Sequence, residues 1–120
     1  MLDILNKKKL GDIAEAKACT YLETNGLSLI DRNFRSPFGE IDLIMHDKKE
    51  VVFIEVRSRS YTTFGTAIES INKTKQQKVI KSAVCYLQKR KWLDKVNYRF
   101  DVVGCSPTTI EWIKNAFSDE

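Results

Sequence analysis

No apolar run in the chain approaches the roughly 18 to 20 residues that a membrane-spanning helix needs, and the core-like stretch Val51 to Ile54 is cut off by Glu55. A membrane span is therefore not expected. Lys7, Lys8 and Lys9 precede no apolar segment of the roughly 7 to 15 residues that a secretion signal requires, so a cytoplasmic location is expected. The three cysteines, Cys19, Cys85 and Cys105, are odd in number, far apart and never in a C-x-x-C pair, which argues against a disulfide framework or a zinc site and for small buried side chains. The single histidine, His46, sits beside an expected turn and leaves a Ser or Cys nucleophile without a well-placed base. Acidic residues are missing altogether from Ser70 to Leu93, where seven basic ones occur.

What is present fits one soluble α/β domain. The 120 residues are 42% apolar and 30% charged, enough for a real core and far from a disordered or fibrous composition. The formal charge of +4 favours a polyanionic partner. Its concentration in Lys73, Lys75, Lys78, Lys81, Lys89, Arg90 and Lys91 sharpens that expectation, although a solvated helix face is the plainer reading.

Apolar spacing predicts a helix from about Lys7 to Asn25, with Leu10, Ile13, Ala14, Ala18, Tyr21 and Leu22 on one stripe and Asn25-Gly26 as its stop. A strand over Leu27 to Phe34 follows, then a turn at Ser36-Pro37-Phe38-Gly39. Glu40 to His46 and Val51 to Ser58 read as antiparallel strands of a hairpin. Arg59 to Glu69 reads as a loop, in which Tyr61 and Phe64 either stack on unpaired bases or pack on the loop itself. Asn72 is placed to cap a helix over Lys73 to Lys91 that buries Val79, Ile80, Ala83, Val84 and Leu87. A strand over Val96 to Val103 and an edge strand near Thr108 to Trp112 complete one α/β layer domain: a three-strand meander with helices on the sheet faces, then a fourth strand added after a crossover.

The hairpin carries the chemistry. A turn centred between Lys48 and Lys49 opposes Asp42 to Glu55 and Glu40 to Arg57, and strand alternation sends all four to one face, with Ile41, Leu43, Met45, Val52, Ile54 and Val56 on the other. Two opposed carboxylates among apolar neighbours repel, and a hard divalent cation, Mg²⁺ or Mn²⁺, removes the conflict. The alternative is structural: Glu40 pairs with Arg57, Asp42 stays solvated and Glu55 makes a hydrogen bond.

The run Gly39-Glu40-Ile41-Asp42-Leu43-Ile44, followed by Val52-Phe53-Ile54-Glu55-Val56-Arg57-Ser58-Arg59, resembles the PD-(D/E)xK nuclease motif. The chain most resembles the bacterial YraN-like family, through these segments and through Gly11, Ala14-Glu15, Arg32-Asn33, Arg35, Phe64-Gly65, Lys75-Gln76 and Arg99-Phe100-Asp101-Val102-Val103. The resemblance implies a restriction-endonuclease-like core, a mixed sheet flanked by helices, related to archaeal Holliday-junction resolvases. It also implies metal ligation by Asp42, Glu55 and the Val56 carbonyl, an auxiliary helical acid in Glu15, and phosphodiester contacts from Lys75 and Gln76. Arg57 stands where the superfamily usually has lysine; it can steady phosphate charge but cannot act as a general base.

The expected activity is Mg²⁺- or Mn²⁺-dependent hydrolysis of DNA, with Asp42, Glu55, Arg57 and Glu15 at the reaction and Lys75, Gln76, Lys78 and Arg59 against the nucleic acid, as a possible homodimer. The competing expectation is a non-catalytic nucleic-acid-binding or adaptor module. Arg99 and Asp101 are expected to form an ion pair that supports the sheet.

Overall fold

The computed structural model describes residues 2–58 and 67–118, and side chains from residue 8 onward. Helix α1 (Leu2–Thr24) ends where Gly26, at φ 98°, takes the left-handed conformation. The Gly26 amide then bonds to the Glu23 carbonyl and the Leu27 amide to that of Leu22, which satisfies the last free carbonyls of the helix. Leu22 and Leu27 are buried in the same cluster, so the stop also sets the angle at which the chain enters the sheet.

Five strands follow the order β1-β2-β3-β4-β5: β1 (Ser28–Ser36), β2 (Gly39–Asp47), β3 (Glu50–Ser58), β4 (Asn97–Cys105) and β5 (Ile110–Phe117). The first three form an antiparallel meander, β3 and β4 pair in parallel, and β5 returns antiparallel at the edge. Between β3 and β4 run a short 3₁₀ turn (Ile68–Ser70) and helix α2 (Lys73–Lys89). A parallel pair needs such a crossover, because a two-residue turn cannot carry the chain back to the same end of the sheet. Asn72 caps α2, its side chain accepting from the Lys75 amide at 2.8 Å.

Both faces of the sheet are covered. Ala14, Ala18, Cys19 and Leu22 of α1 pack on Leu43, Met45, Val52, Ile54 and Val103. On the other side, Val79, Ile80, Ala83, Tyr86 and Leu87 of α2 pack on Ile44, Val51, Phe53 and Phe100. This is why β3 reads as a nearly unbroken apolar run rather than as an alternation.

The fold confirms the mixed sheet flanked by helices and the order of elements, and corrects several details. Leu10 and Ile13, expected in the buried stripe, are 56% and 54% exposed, because α1 rests on the sheet through Ala14, Ala18, Cys19 and Leu22. Val84 and Cys85 are only half-buried, while Tyr86 and Ser82 are buried. The last strand begins at Ile110 and runs to Phe117. Arg59, Tyr61, Phe64 and Gly65 lie outside the described residues. Among the described residues no helix is long and apolar enough to cross a membrane.

In the middle of β4, Asp101 is fully buried and receives four donors: Arg99 Nε at 3.0 Å, Arg99 Nη2 at 3.1 Å, Trp112 Nε1 at 2.9 Å and the Asn115 amide at 2.9 Å. Arg99 also reaches Glu50 at 2.8 Å and Asp47 at 3.0 Å. This network ties the β2–β3 turn to β4 and β5, and confirms the structural role expected for the Arg99–Asp101 pair.

Candidate functional site

The β2–β3 hairpin turns through Lys48 and Lys49, and Asp47 pairs with Glu50, Met45 with Val52 and Leu43 with Ile54, as its turn residues predict. Pairing ends at Leu43 and Ile54. The next amide that β3 aims at β2, that of Val56, donates instead to Asp42 Oδ2 at 2.8 Å. A carboxylate thus replaces a backbone carbonyl where the two strands part.

A second irregularity turns Asp42 into this position. Arg32 pairs with Leu43 and Phe34 with Ile41, so Asn33 and Asp42 lie between two ordinary pairs. Asn33 takes φ 52°, a left-handed conformation that asparagine tolerates better than most residues. Leu43 faces α1, yet both Ile41 and Ile44 belong to the α2-side cluster, so alternation along β2 fails at Asp42. The expectation that Glu40, Asp42, Glu55 and Arg57 share one face, with Ile41 opposite, is corrected accordingly: Ile41 turns toward α2 and Glu40 toward α1. On β3 alternation holds, and Glu55 and Arg57 follow Val51 and Phe53 on the α2 side.

Glu40 consequently does not pair with Arg57. Its Oε2 lies 3.7 Å from Arg35 Nε on β1. With the Asn33 amide oriented so that its nitrogen faces acceptors, that nitrogen is 2.9 Å from both Glu40 Oε1 and Glu15 Oε1. Asn33 therefore brings the helical acid to the strand acids, a role the sequence reading did not assign it. The available signal was an asparagine at mid-strand, a residue type suited to positive φ. Gly11 does not help α1 approach the sheet, since a Cβ there would meet open space.

The electrostatics follow from this crowding. Glu55 is only 2% exposed, and its carboxyl is pushed well above the usual range by burial and then by the neighbouring Asp42. Burial also raises Asp42, against which the Val56 amide, a hydrogen bond from Glu55, Lys75 and Arg57 favour the charged form. The pair is best described as a protonated Glu55 donating to an ionised Asp42. Glu55 Oε1 is left buried with no hydrogen-bond partner, as is Arg57 Nε, among the described residues. Burial, Asp42, Glu40 and Asp12 raise Glu15 to about 7.

Because the folded-state pKa of Glu15 lies above its ordinary value of 4.5, its protonated form stabilises the fold below that value, and the contribution is lost as pH rises through about 7. Glu15→Gln keeps a neutral side chain at every pH. It is expected to raise the melting temperature near pH 8 and to change it little near pH 5. Glu15 is partly solvated, so the gain is discounted to about 1 kcal/mol, or about 3 to 6 °C for a domain of this size. Melting curves of both proteins across that range check it, and parallel pH profiles would refute it.

Among the described residues no three His, Cys, Asp or Glu side chains gather as a metal nest. The groups that could hold a hard cation are the Asp42 and Glu55 carboxylates with the Val56 carbonyl, which alternation would aim into the same opening between β2 and β3. The orphaned Glu55 oxygen and the shared proton fit such an ion, since a divalent charge would replace the proton and engage the free oxygen. Lys75, in the first turn of α2, is close enough to act on both acids. Gln76 donates to the Ile71 carbonyl at 3.1 Å, so its amide nitrogen is already engaged within the fold. Lys78 is exposed one turn further along α2, beside the β1–β2 turn.

The model of the family described as "Uncharacterised protein family UPF0102" matches residues 14–105, a span holding Glu15, Asn33, Asp42, Glu55, Arg57 and Lys75. A UPF0102 protein of Coxiella burnetii (strain RSA 331 / Henzerling II) is 48% identical over 114 residues, 94% of this chain and 95% of its own. One from Francisella tularensis subsp. novicida (strain U112) is 44% identical over 110 residues, 91% and 94% of the two chains. With a match across the helix, the hairpin and the crossover that build the site, the chain belongs to the UPF0102 family.

Proposed function

We propose that the protein is a metal-dependent phosphodiesterase of the PD-(D/E)xK type that acts on DNA. The observation that carries this reading is the buried Asp42–Glu55 pair, set where β2 and β3 separate, with a Glu55 oxygen unpaired among the described residues and two cationic side chains beside it. A fold selected for stability alone gains nothing from two acids that must share a proton in an apolar surround.

Asp42, Glu55 and the Val56 carbonyl would hold Mg²⁺ or Mn²⁺, which when bound neutralises phosphate charge and makes water more acidic. Arg57 donates to a non-bridging phosphate oxygen; being permanently protonated, it serves as a charge stabiliser rather than a base. Glu15, with a pKa near neutrality, is suited to accept the proton of the attacking water. Lys75, close enough to act on both acids, would meet the passing backbone of the substrate, and the acid-free sequence of α2 continues the positive path.

The test is incubation of the pure protein with supercoiled, branched and single-stranded DNA in Mg²⁺ or Mn²⁺, alongside Asp42→Ala. Cleavage by the wild type and its loss in the variant are expected. Absence of cleavage, or its survival in Asp42→Ala, would leave the second reading: a nucleic-acid-binding module without turnover, which Arg57 in the lysine position favours. That module predicts salt-sensitive binding without a metal requirement.

A further inference from the structure

The two-residue turn between β1 and β2 lifts Phe38 out of the protein to 45% exposure, although a large apolar side chain at a turn tip gains nothing by standing in water. The turn holds it there. Ser36 Oγ accepts from the Phe38 amide at 3.0 Å and lies 2.8 Å from Ser82 Oγ, which locks the turn to the middle of α2. Gly39 follows at φ 150°, a conformation L side chains rarely adopt, and a Cβ there would already touch Lys78 Cβ at 3.8 Å. The ring is therefore presented by a fixed support.

Phe38 forms one wall of an open cleft of about 480 Å³, whose other walls are Pro37, Thr74, Gln77, Lys78 and Lys81. Lys81 Nζ lies 5.6 Å from the centre of the Phe38 ring. An apolar π face, two ammonium groups and two neutral hydrogen-bonding side chains, with no acid among the described lining residues, match an unpaired nucleotide: the base stacks on the ring and its phosphates meet the lysines. A duplex keeps its base faces covered by their neighbours and has none to offer.

We propose that this cleft binds single-stranded nucleic acid, with Phe38 as the stacking platform and Lys78 and Lys81 as phosphate contacts. The inference extends the phosphodiesterase reading by naming the substrate feature, an unpaired segment beside the site. Gly39 and Asp42 are three residues apart on β2, about 10 Å along an extended strand. Lys75 and Lys78 are one helical turn apart on α2. A strand seated on Phe38 thus passes the acid pair within a few nucleotides.

The experiment is fluorescence-anisotropy binding of a labelled single-stranded oligothymidylate and of a blunt duplex of equal length, in EDTA, to the wild type, Phe38→Ala, Phe38→Trp and Lys81→Glu. Phe38→Ala is expected to weaken single-strand binding about 5- to 30-fold and to change duplex binding less than about twofold. Lys81→Glu weakens single-strand binding and flattens its salt dependence. Phe38→Trp keeps the affinity and adds a tryptophan emission that the oligonucleotide quenches. Unchanged single-strand binding by Phe38→Ala, equal losses on both substrates, or an emission from Trp at position 38 that the strand does not quench would each overturn the proposal. Cleavage that depends on Asp42 but single-strand binding indifferent to Phe38 would sink this inference and spare the hydrolytic one. Phe38-dependent binding without any cleavage would do the reverse.

Discussion

Asp101→Ala is expected to remove about 3 to 5 kcal/mol of folding stability, lowering the melting temperature by about 10 to 20 °C. The carboxylate is fully buried and accepts from Arg99, from the Trp112 indole and from the Asn115 amide, so truncation strands donors from two strands at once. Arg99 would keep Glu50 and Asp47, both nearer to solvent, and would hold its charge at the sheet end with its buried partner gone. Urea denaturation followed by far-ultraviolet circular dichroism reads the loss directly. A penalty below about 1 kcal/mol would mean that water enters and satisfies these donors.

Glu55→Gln should move stability and activity in opposite directions. The amide donates to Asp42 without a titrating proton, so the variant escapes the penalty that the wild type meets as pH rises above the ordinary carboxylate range. Both acids are raised in the folded state, Glu55 by burial and Asp42, and Asp42 by burial. The sign follows from linkage: groups with raised folded-state values stabilise at low pH and lose that contribution as pH rises. In EDTA near pH 8 the variant is expected to be more stable than wild type by about 1 to 2 kcal/mol. Its Mg²⁺-dependent cleavage is expected to fall at least about 100-fold, and added Mg²⁺, which should raise the melting temperature of the wild type, should raise that of the variant much less. A destabilised variant would show that Glu55 serves the core, and the functional reading of the pair would fall with it.

Asp42 and Glu55 show how far local rules reach. That they meet could be read from the chain, because a two-residue turn at Lys48-Lys49 sets the register of the hairpin as far as Leu43–Ile54, and the two acids stand just beyond it. The consequence for faces could not be read so well. Strict alternation assumes an unbroken pleat, and the pleat breaks at Asn33 and Asp42, where an asparagine in the left-handed region lets both strands change sides without changing register. Glu40 for that reason meets Asn33 and Arg35 rather than Arg57. Glu15 follows from the resemblance alone, and its link to the strands depends on Asn33, a contact between residues of α1 and β1 that no sequence spacing encodes. Leu10 and Ile13 fit the helical stripe yet stand in water, because periodicity gives the direction of a face and not the length of it that meets a partner.

The sequence by itself determined the elements, their order, the crossover before the fourth strand and the pairing of the hairpin, since each rests on short-range geometry: apolar period, turn chemistry and the minimum length of a crossover; that β4 pairs in parallel with β3 is a finding of the structure. Only the tertiary structure decided that Asp42 leaves the ladder to take the Val56 amide, that Asn33 couples Glu15 to Glu40, that Gln76 is occupied within the fold, and that Ser36 and Ser82 hold Phe38 in solvent. Those outcomes depend on which hydrogen-bonding groups meet when separate elements pack, and they are set by burial and distance across the chain rather than by neighbours along it.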